Sequence, residues 1–400
     1  MEGAKLLIVF AVVMILLLCR VSFPRVMLGG SLLMALLFST SAKEYLVMVW
    51  VGMTNWVTIE MVLIVTSVMV LEHFLSKNGY LDGMLASLQG VIKNPTAVMA
   101  VLPAFIGLMP SAGGALFSAP LVEQIASGND VTPEQKSFVN FYFRHTSEYF
   151  LPIYPGVILT AGLSGIPIRH LIFALAPYGL LVILLGLPSL RKISLPKIDR
   201  GVPDNYPEML KTLGKNILPI FFILFFVLFL GMEVALSVSI VLVALLIYHK
   251  YSPAKIWNLL REAINKKTIL MVFSVMIFKQ VLTDTNAVNG LPPLLDKLPV
   301  PEVIILCLVT FFVGMLTGMM VAVIGISFPI AMAGMGGDLS LTLVVLLFIS
   351  GFAGTMISPM HLCLPITVDY FQADLKKVLR MLIVPEIALW ATAFSCYLIF

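Results

Sequence analysis

Two short polar runs interrupt apolar stretches of this sequence, and they hold the residues best suited to chemistry. An ionisable side chain in an apolar membrane span costs about 2.5–3.5 kcal/mol on insertion scales, so a function is the default explanation for it. Glu148 and the imidazoles of His145 and His361 could carry protons, because imidazole titrates near neutral pH. Alternatively, Arg144 and Glu148, spaced i,i+4, only neutralise each other along a helix. The runs comprise Arg144, His145, Thr146, Ser147 and Glu148, and then Thr355, Ser358 and His361.

Glycine and proline mark a second pair of interruptions. Proline removes a backbone donor, and glycine lets the backbone approach a ligand closely. In hydrocarbon, such breaks are tolerated only where they are buried in protein or line a wet cavity. We therefore predict binding residues there; the alternative is a helix-packing face of small residues. The residues are Pro110, Ser111, Gly113 and Gly114 in the first break, and Thr317 and Gly318 in the second.

The breaks also predict what kind of ligand binds. A half-helix that begins after a break points its N–H groups and positive dipole end at the membrane midplane, which favours an anion. The carbonyl ends of the preceding half-helices could instead hold Na⁺. We therefore expect a small anion, with a carboxylate as the leading candidate, Na⁺ or H⁺ as the coupling ion, and no further cofactor. Hydroxyls suited to either partner are those of Ser111, Thr146, Ser147, Thr355 and Ser358.

Composition indicates the environment of these residues. Of the 400 residues, 60% are apolar and only 12% are charged, against about 25% charged in soluble domains. The mean hydropathy is +1.04, so the chain is predicted to lie in a bilayer. The net charge of +4 does not indicate a nucleic-acid partner, because the basic residues lie between apolar spans. The four cysteines form no CxxC pair, so we expect neither a disulfide framework nor a zinc site.

The second half of the chain repeats the first. Residues 67–83 align without gaps on 274–290, and the same shift superposes 105–107 on 312–314. Two broken hydrophobic segments in corresponding places are typical of secondary transporters built from repeats. We predict a first inverted repeat over 1–200 and a second over 201–400. In the first repeat, 96–127 forms a re-entrant hairpin and 137–163 a broken helix; in the second, these are 301–335 and 340–366.

The distribution of Lys and Arg predicts the orientation. With the amino terminus outside, 19 of the 25 Lys and Arg residues fall on inside loops, four fall outside, and two fall in or at the end of spans. Because positive charge accumulates on the cytoplasmic side, we expect a multi-pass protein of the inner (cell) membrane with both termini outside. On this reading Glu72, His73 and Lys279 are interfacial. The ten spans are 4–19, 27–42, 56–76, 137–163, 170–189, 214–231, 233–249, 267–285, 340–366 and 380–400.

Two segments carry a family resemblance. LPAFIGLMPSAGGALFSAPLVE (102–123) and GFAGTMISPMHLCLPIT (351–367) resemble an uncharacterised family of integral membrane proteins, domain of unknown function number 401. That family is grouped with the ion transporter superfamily, whose relatives include gluconate permeases and citrate and dicarboxylate transporters. The resemblance implies inverted repeats with one hairpin from each side, and a site at the hairpin tips and broken helices. The Ser-Asn-Thr signatures of the dicarboxylate branch are absent here.

Together these features predict an all-helical membrane protein that is an ion-coupled secondary transporter of a small organic anion, working by alternating access. A channel or a non-transporting membrane scaffold is the alternative. An intramembrane enzyme is less favoured, because the sequence has no HExxH motif and no nucleophile signature beside its histidines. Besides the anion, the expected partners are the lipid bilayer and, as one possible oligomeric state, a second copy of the chain.

Overall fold

The computed structural model describes residues 2–19, 21–92, 94–108, 114–193, 195, 206–287, 299–335 and 339–400. Its secondary structure within these ranges is entirely helical. The helices are α1 (Glu2–Leu18), α2 (Phe23–Leu37), α3 (Ala42–Thr54), α4 (Trp56–Lys77), α5 (Tyr80–Val91), α6 (Pro95–Ile106), α7 (Gly114–Ala126), α8 (Pro133–Arg144), α9 (Pro155–Ser164), α10 (Ile168–Arg191), α11 (Tyr206–Leu228), α12 (Val234–Tyr248), α13 (Pro253–Ala263), α14 (Lys266–Asp284), α15 (Glu302–Thr317), α16 (Met320–Gly334), α17 (Leu341–Met356), α18 (Cys363–Tyr370) and α19 (Leu375–Ile399). A 3₁₀ helix, Thr146–Tyr149, follows α8.

Four helices of the described ranges are long and apolar enough to cross a membrane by themselves: α4, α10, α11 and α19. Several other apolar helices are shorter. Thus α6 and α7, with 12 and 13 residues, extend about 18–20 Å at 1.5 Å per residue. That is less than the hydrocarbon thickness of about 30 Å. The protein is therefore a membrane protein that combines long apolar helices with several apolar helices too short to cross by themselves.

The short helices occur in packed pairs. Helix α6 packs against α7 and α8, and α15 packs against α16 and α17. The predicted hairpins, 96–127 and 301–335, fall on the pairs α6/α7 and α15/α16. Residues 109–113, which contain the predicted turn of the first hairpin, lie outside the described residues.

Helix α17 lies at the centre of this packing. Every residue from Leu343 to Met356 is buried, which fits a helix that is apolar all round. Glycines bring it very close to α15, since a Cβ at Gly354 would overlap the carbonyl oxygen of Phe311. A Cβ at Gly314 would lie 2.9 Å from the backbone nitrogen of Thr355. Small residues therefore set the spacing of this helix pair, as is common in membranes.

Both predicted broken helices are interrupted in the middle. Helix α8 ends at Arg144, and α9 begins only at Pro155, after the 3₁₀ turn. Helix α17 ends at Met356, and α18 begins at Cys363. The interruptions place most of the two polar runs in non-helical or 3₁₀ backbone, while Arg144 and Thr355 lie in the last turns of α8 and α17.

Three helices lie in stretches that the predicted spans leave out. Helix α3 begins with a capping box between Ser41 and Glu44, and α13 begins after Ser252, whose hydroxyl accepts from Lys255 N. Helix α5 follows Gly79, which has a φ of +72°. Such helices are too short to span, so a search for about 20 apolar residues passes over them.

Candidate functional site

The two polar runs meet at a cavity of about 600 Å³, here called the central cavity. It lies where the α8–α9 break faces the α17–α18 break and the junction of α15 and α16. The polar residues on its wall are Arg144, Glu148, Tyr154, Thr317, Thr355 and His361. Apolar residues on its wall include Met271, Met320, Val321, Phe348, Phe352 and Ile366. Both halves of the chain therefore contribute to one cavity.

Arg144 is the last residue of α8 and is only 2% exposed. Its Nη1 donates to His145 Nε2 at 3.3 Å and to Cys363 Sγ at 3.4 Å, and it lies 3.8 Å from Glu148 Oε1. A buried guanidinium needs compensating charge and hydrogen bonds. Glu148 supplies a carboxylate one helical turn further on, as the i,i+4 spacing predicts. The pair was one of the two interpretations of this run, and the structure places it on a cavity wall.

The two imidazoles of the polar runs also meet. His145 Nδ1 lies 2.6 Å from the carbonyl oxygen of Phe141, and His145 Nε2 lies 3.0 Å from His361 Nε2. Because a carbonyl can only accept, Nδ1 of His145 carries the hydrogen, and Nε2 of the neutral ring is an acceptor. His361 then donates through Nε2. The contact joins two residues that are 216 positions apart.

These histidines form a cluster with Cys363. One ligand atom from each of His145, His361 and Cys363 lies within 4.8 Å of the others, and all three residues are buried. Imidazole and thiolate are ligands for zinc and copper. However, the Arg144 guanidinium donates to two of the three and places a positive charge beside them. This charge favours an anion at the cluster over a metal cation.

The hydroxyls expected to serve Na⁺ donate to backbone carbonyls. Thr146 donates to Phe143 O at 2.9 Å, Thr355 to Gly351 O at 3.0 Å and Ser358 to Met315 O at 2.6 Å. Ser147 donates to Gly107 O. The bonds of Ser147 and Ser358 join the broken segments to the ends of α6 and α15. Sodium binding by these oxygens stays a prediction.

Two glycines bring the helix pairs into direct contact with the broken segments. Gly107 follows α6, and a Cβ there would overlap the carbonyl group of Arg144. Gly318 follows α15 with a φ of +64°, and a Cβ there would overlap the backbone of His361. Tyr154 also donates to Gly107 O. In both halves, glycine thus allows backbone-to-backbone packing next to the ionisable side chains.

The predicted site residues divide into three groups. Arg144, Glu148, Thr317, Gly318, Thr355 and His361 line the central cavity. His145, Thr146, Ser147 and Ser358 are buried beside it and bind backbone carbonyls, and His145 also contacts Arg144 and His361. Pro110, Ser111 and Gly113 lie outside the described residues, while Gly114 begins α7.

Sequence reasoning missed three residues near Arg144. Cys363 lies only two positions after His361, but cysteines in apolar stretches gave no signal of their own. Glu72, interpreted as interfacial, lies close enough to Arg144 for their charges to interact. Tyr154 lines the cavity and could have been found only by its position after the break.

A second cavity, of about 480 Å³, lies among α4, α9, α11 and α12. Its charged lining residues, Glu60, Arg169 and Glu233, are partly or fully exposed. The central cavity therefore differs in having its guanidinium buried.

The long apolar helices define the class of this chain, an all-helical membrane protein, and a buried guanidinium lies on the wall of its central cavity. Residues 3–399 match the family described as protein of unknown function, DUF401, and the chain belongs to that family. The family predicted from residues 102–123 and 351–367 is thereby confirmed. Comparison with curated proteins gives no match.

Proposed function

We propose that the protein is an ion-coupled secondary transporter of a small organic anion that works by alternating access. The observation that carries this proposal is Arg144, buried on the wall of a cavity that two broken segments enclose. A guanidinium binds a carboxylate with two parallel hydrogen bonds, which makes Arg144 the anchor for the substrate.

The proposal also includes a detailed membrane topology, with more crossings than the four described helices that are long enough to span by themselves. Ten crossings form two inverted repeats, 1–200 and 201–400, each with a re-entrant hairpin and a broken helix. Both termini lie outside the inner membrane. The packed pairs α6/α7 and α15/α16 support the hairpins, because each of these helices is shorter than the roughly 20 residues that a membrane crossing needs.

The coupling of ion to substrate follows from competition between two carboxylates for the guanidinium of Arg144. Glu148 lies 3.8 Å from Arg144, so its carboxylate and a substrate carboxylate seek the same partner. If H⁺ is the coupling ion, protonation of Glu148 releases Arg144 for the substrate, and both cross together. If Na⁺ is the ion, its positive charge offsets Glu148 while the substrate binds. Both versions keep the cavity close to neutral, which a low-dielectric site requires.

Reconstitution into proteoliposomes tests the proposal. We expect saturable uptake of carboxylates that depends on an imposed Na⁺ or H⁺ gradient and that the Arg144→Gln variant lacks. Flux that does not saturate would indicate a channel. Consumption of the anion without an imposed gradient would indicate an enzyme, and a protein that inserts but moves no anion would support the scaffold alternative.

A further inference from the structure

We infer that the central cavity selects monocarboxylates with an apolar tail over dicarboxylates and polyhydroxylated acids. The inference rests on the proposed function, since it names the substrate class of the proposed transporter. The cavity joins a compact charged end, formed around Arg144, to a wall of aromatic and aliphatic side chains.

The charge of the cavity suits one carboxylate. Among the described residues of its wall, Arg144 is the only lysine or arginine. Glu148 is 3.8 Å away, and the charge of Glu72 also acts on Arg144. A second substrate carboxylate would find no further guanidinium or ammonium among the described residues of the wall and would be repelled by Glu148. Burying an unpaired charge is strongly unfavourable, so dicarboxylates are excluded.

Three hydroxyl groups on the cavity wall donate their hydrogens to backbone carbonyls. Thr317 donates to Val313 O at 2.7 Å, and Thr355 donates to Gly351 O at 3.0 Å. Tyr154 donates to Gly107 O. The hydroxyl groups of a sugar acid can donate to the oxygen atoms of these three side chains, but the three side chains offer no hydrogen for the sugar oxygens to accept. Unpaired polar groups in a buried site weaken binding, so polyhydroxylated acids are disfavoured.

The rest of the wall suits an apolar tail. Phe348 and Phe352 stack with their ring centroids 6.1 Å apart. Gly156 lets Met320 approach closely, since a Cβ there would lie 2.9 Å from the Met320 Cβ. Each additional buried methylene of a linear carboxylate should therefore tighten binding about fourfold until the wall is covered.

Binding of radiolabelled hexanoate to the purified protein in nanodiscs tests the inference, with empty nanodiscs as the blank. Unlabelled butyrate, pentanoate and hexanoate should compete with affinities that rise about fourfold per methylene. Succinate and gluconate should compete at least tenfold less well than hexanoate. Equal or better competition by succinate or gluconate, or affinities that do not change with chain length, would overturn the inference.

A matched pair of variants locates the tail. Met271→Gln adds a polar amide to the cavity wall and should weaken hexanoate binding several-fold while leaving butyrate less affected. Met381→Gln, the same change on α19 away from the wall, should leave both unchanged. Equal effects of the two variants would contradict the assignment of the tail to this wall.

Counterflow of the same acids in proteoliposomes separates this inference from the proposed function. Hexanoate binding without flux of any acid would overturn the proposed transport and leave the substrate class in place. Flux of succinate or gluconate in preference to hexanoate would overturn the substrate class and leave transport in place. A wild-type protein that binds no hexanoate would overturn the inference outright.

Discussion

At the scale of single residues, Arg144 and Glu148 depend on each other. Their 3.8 Å contact places opposite charges where Arg144 is buried and Glu148 is 17% exposed. Removing one member of a buried pair typically costs about 3–5 kcal/mol, because the other charge stays without compensation. The partial exposure of Glu148 lowers this figure.

We therefore predict that Arg144→Gln loses anion binding and lowers stability by about 2–3 kcal/mol, discounted for the partial exposure of Glu148. The double variant Arg144→Gln/Glu148→Gln should recover much of the stability but not the binding, because neither charge of the pair remains and no guanidinium is present. Thermal unfolding in detergent and a ligand-binding assay measure the two effects separately. Anion binding by the double variant would remove Arg144 from the site.

Gly318 provides a second residue-scale prediction. Gly318→Ala combines a positive φ, which costs an L-residue about 1–2 kcal/mol, with overlap on the His361 backbone. We expect it to reduce transport at least tenfold while the protein still inserts in the membrane. Gly128 has a φ of +75° but nothing within 4 Å of an added Cβ. Gly128→Ala is therefore the control, and a similar loss in both variants would assign the effect to backbone strain alone.

The sequence could predict some of these residues but not their neighbours. Arg144, Glu148 and His361 were found because ionisable groups are expensive in apolar stretches. Cys363 and Glu72 were not found, because their roles come from a hydrogen bond and a charge interaction with Arg144 across long sequence separations. Chemistry that depends on one residue type is visible in a sequence, whereas chemistry that depends on proximity requires the fold.

At the scale of helices, the α15/α17 contact makes a clear prediction. Gly354→Ala should destabilise the protein by about 1–3 kcal/mol, the usual cost of overpacking, since its Cβ would overlap the Phe311 backbone. Gly214 lies in α11 with open space around it. There the same change should be neutral or stabilising by up to about 1 kcal/mol, because alanine favours helix. Thermal unfolding midpoints of the Gly354→Ala and Gly214→Ala variants test the prediction, and equal midpoints would contradict close packing of α15 on α17.

The contact between α4 and α13 should depend on pH. Glu262 on α13 accepts from Lys77 Nζ at 2.7 Å and from His73 Nε2 at 3.1 Å. The hydrogen bond from Lys77 lowers the pKa of Glu262 below its ordinary value. A carboxyl with a lowered pKa in the folded state stabilises the contact above its ordinary pKa and loses that effect as pH falls through the lowered value.

Spin-label distances between α4 and α13 should therefore be constant near neutral pH and become broader in acid. Glu262→Gln should give the broad distribution at every pH. Glu208→Gln, an exposed acid in the first turn of α11, is the matched control. A narrow distribution in Glu262→Gln at neutral pH would show that apolar packing alone holds α13.

The helix boundaries show which helices composition and periodicity can predict and which they cannot. Long apolar helices such as α4 and α10 correspond closely to predicted spans, because about 20 consecutive apolar residues strongly favour a membrane-crossing helix. Helices α3 and α13 were not predicted, since polar caps start them and their length gives no span signal. The interruptions in 137–163 and 340–366 coincide with Pro152 and Pro359, and proline is visible in the sequence.

At the scale of the whole molecule, the orientation in the membrane stays a prediction of the Lys and Arg distribution. Reporter fusions should place both termini outside and the 191–215 segment inside, because positively charged segments remain in the cytoplasm. The charge of this segment comes from Arg191, Lys192, Lys197, Arg200, Lys211 and Lys215. Activity of an exterior-specific reporter in the 191–215 segment would overturn the inverted arrangement of the halves.

The mixed lining of the central cavity bears on the origin of the protein. Arg144, Glu148 and Gly156 come from the first half, whereas Thr317, Phe352 and His361 come from the second. If both halves descend from one ancestor, as the sequence offset indicates, that ancestor could enclose such a cavity only by pairing with a second copy of itself. On this view, fusion then allowed the two copies to diverge: the first half has the guanidinium and the imidazole of His145, and the second half has the imidazole of His361 that meets His145. We therefore expect that neither half can be replaced by a duplicate of the other.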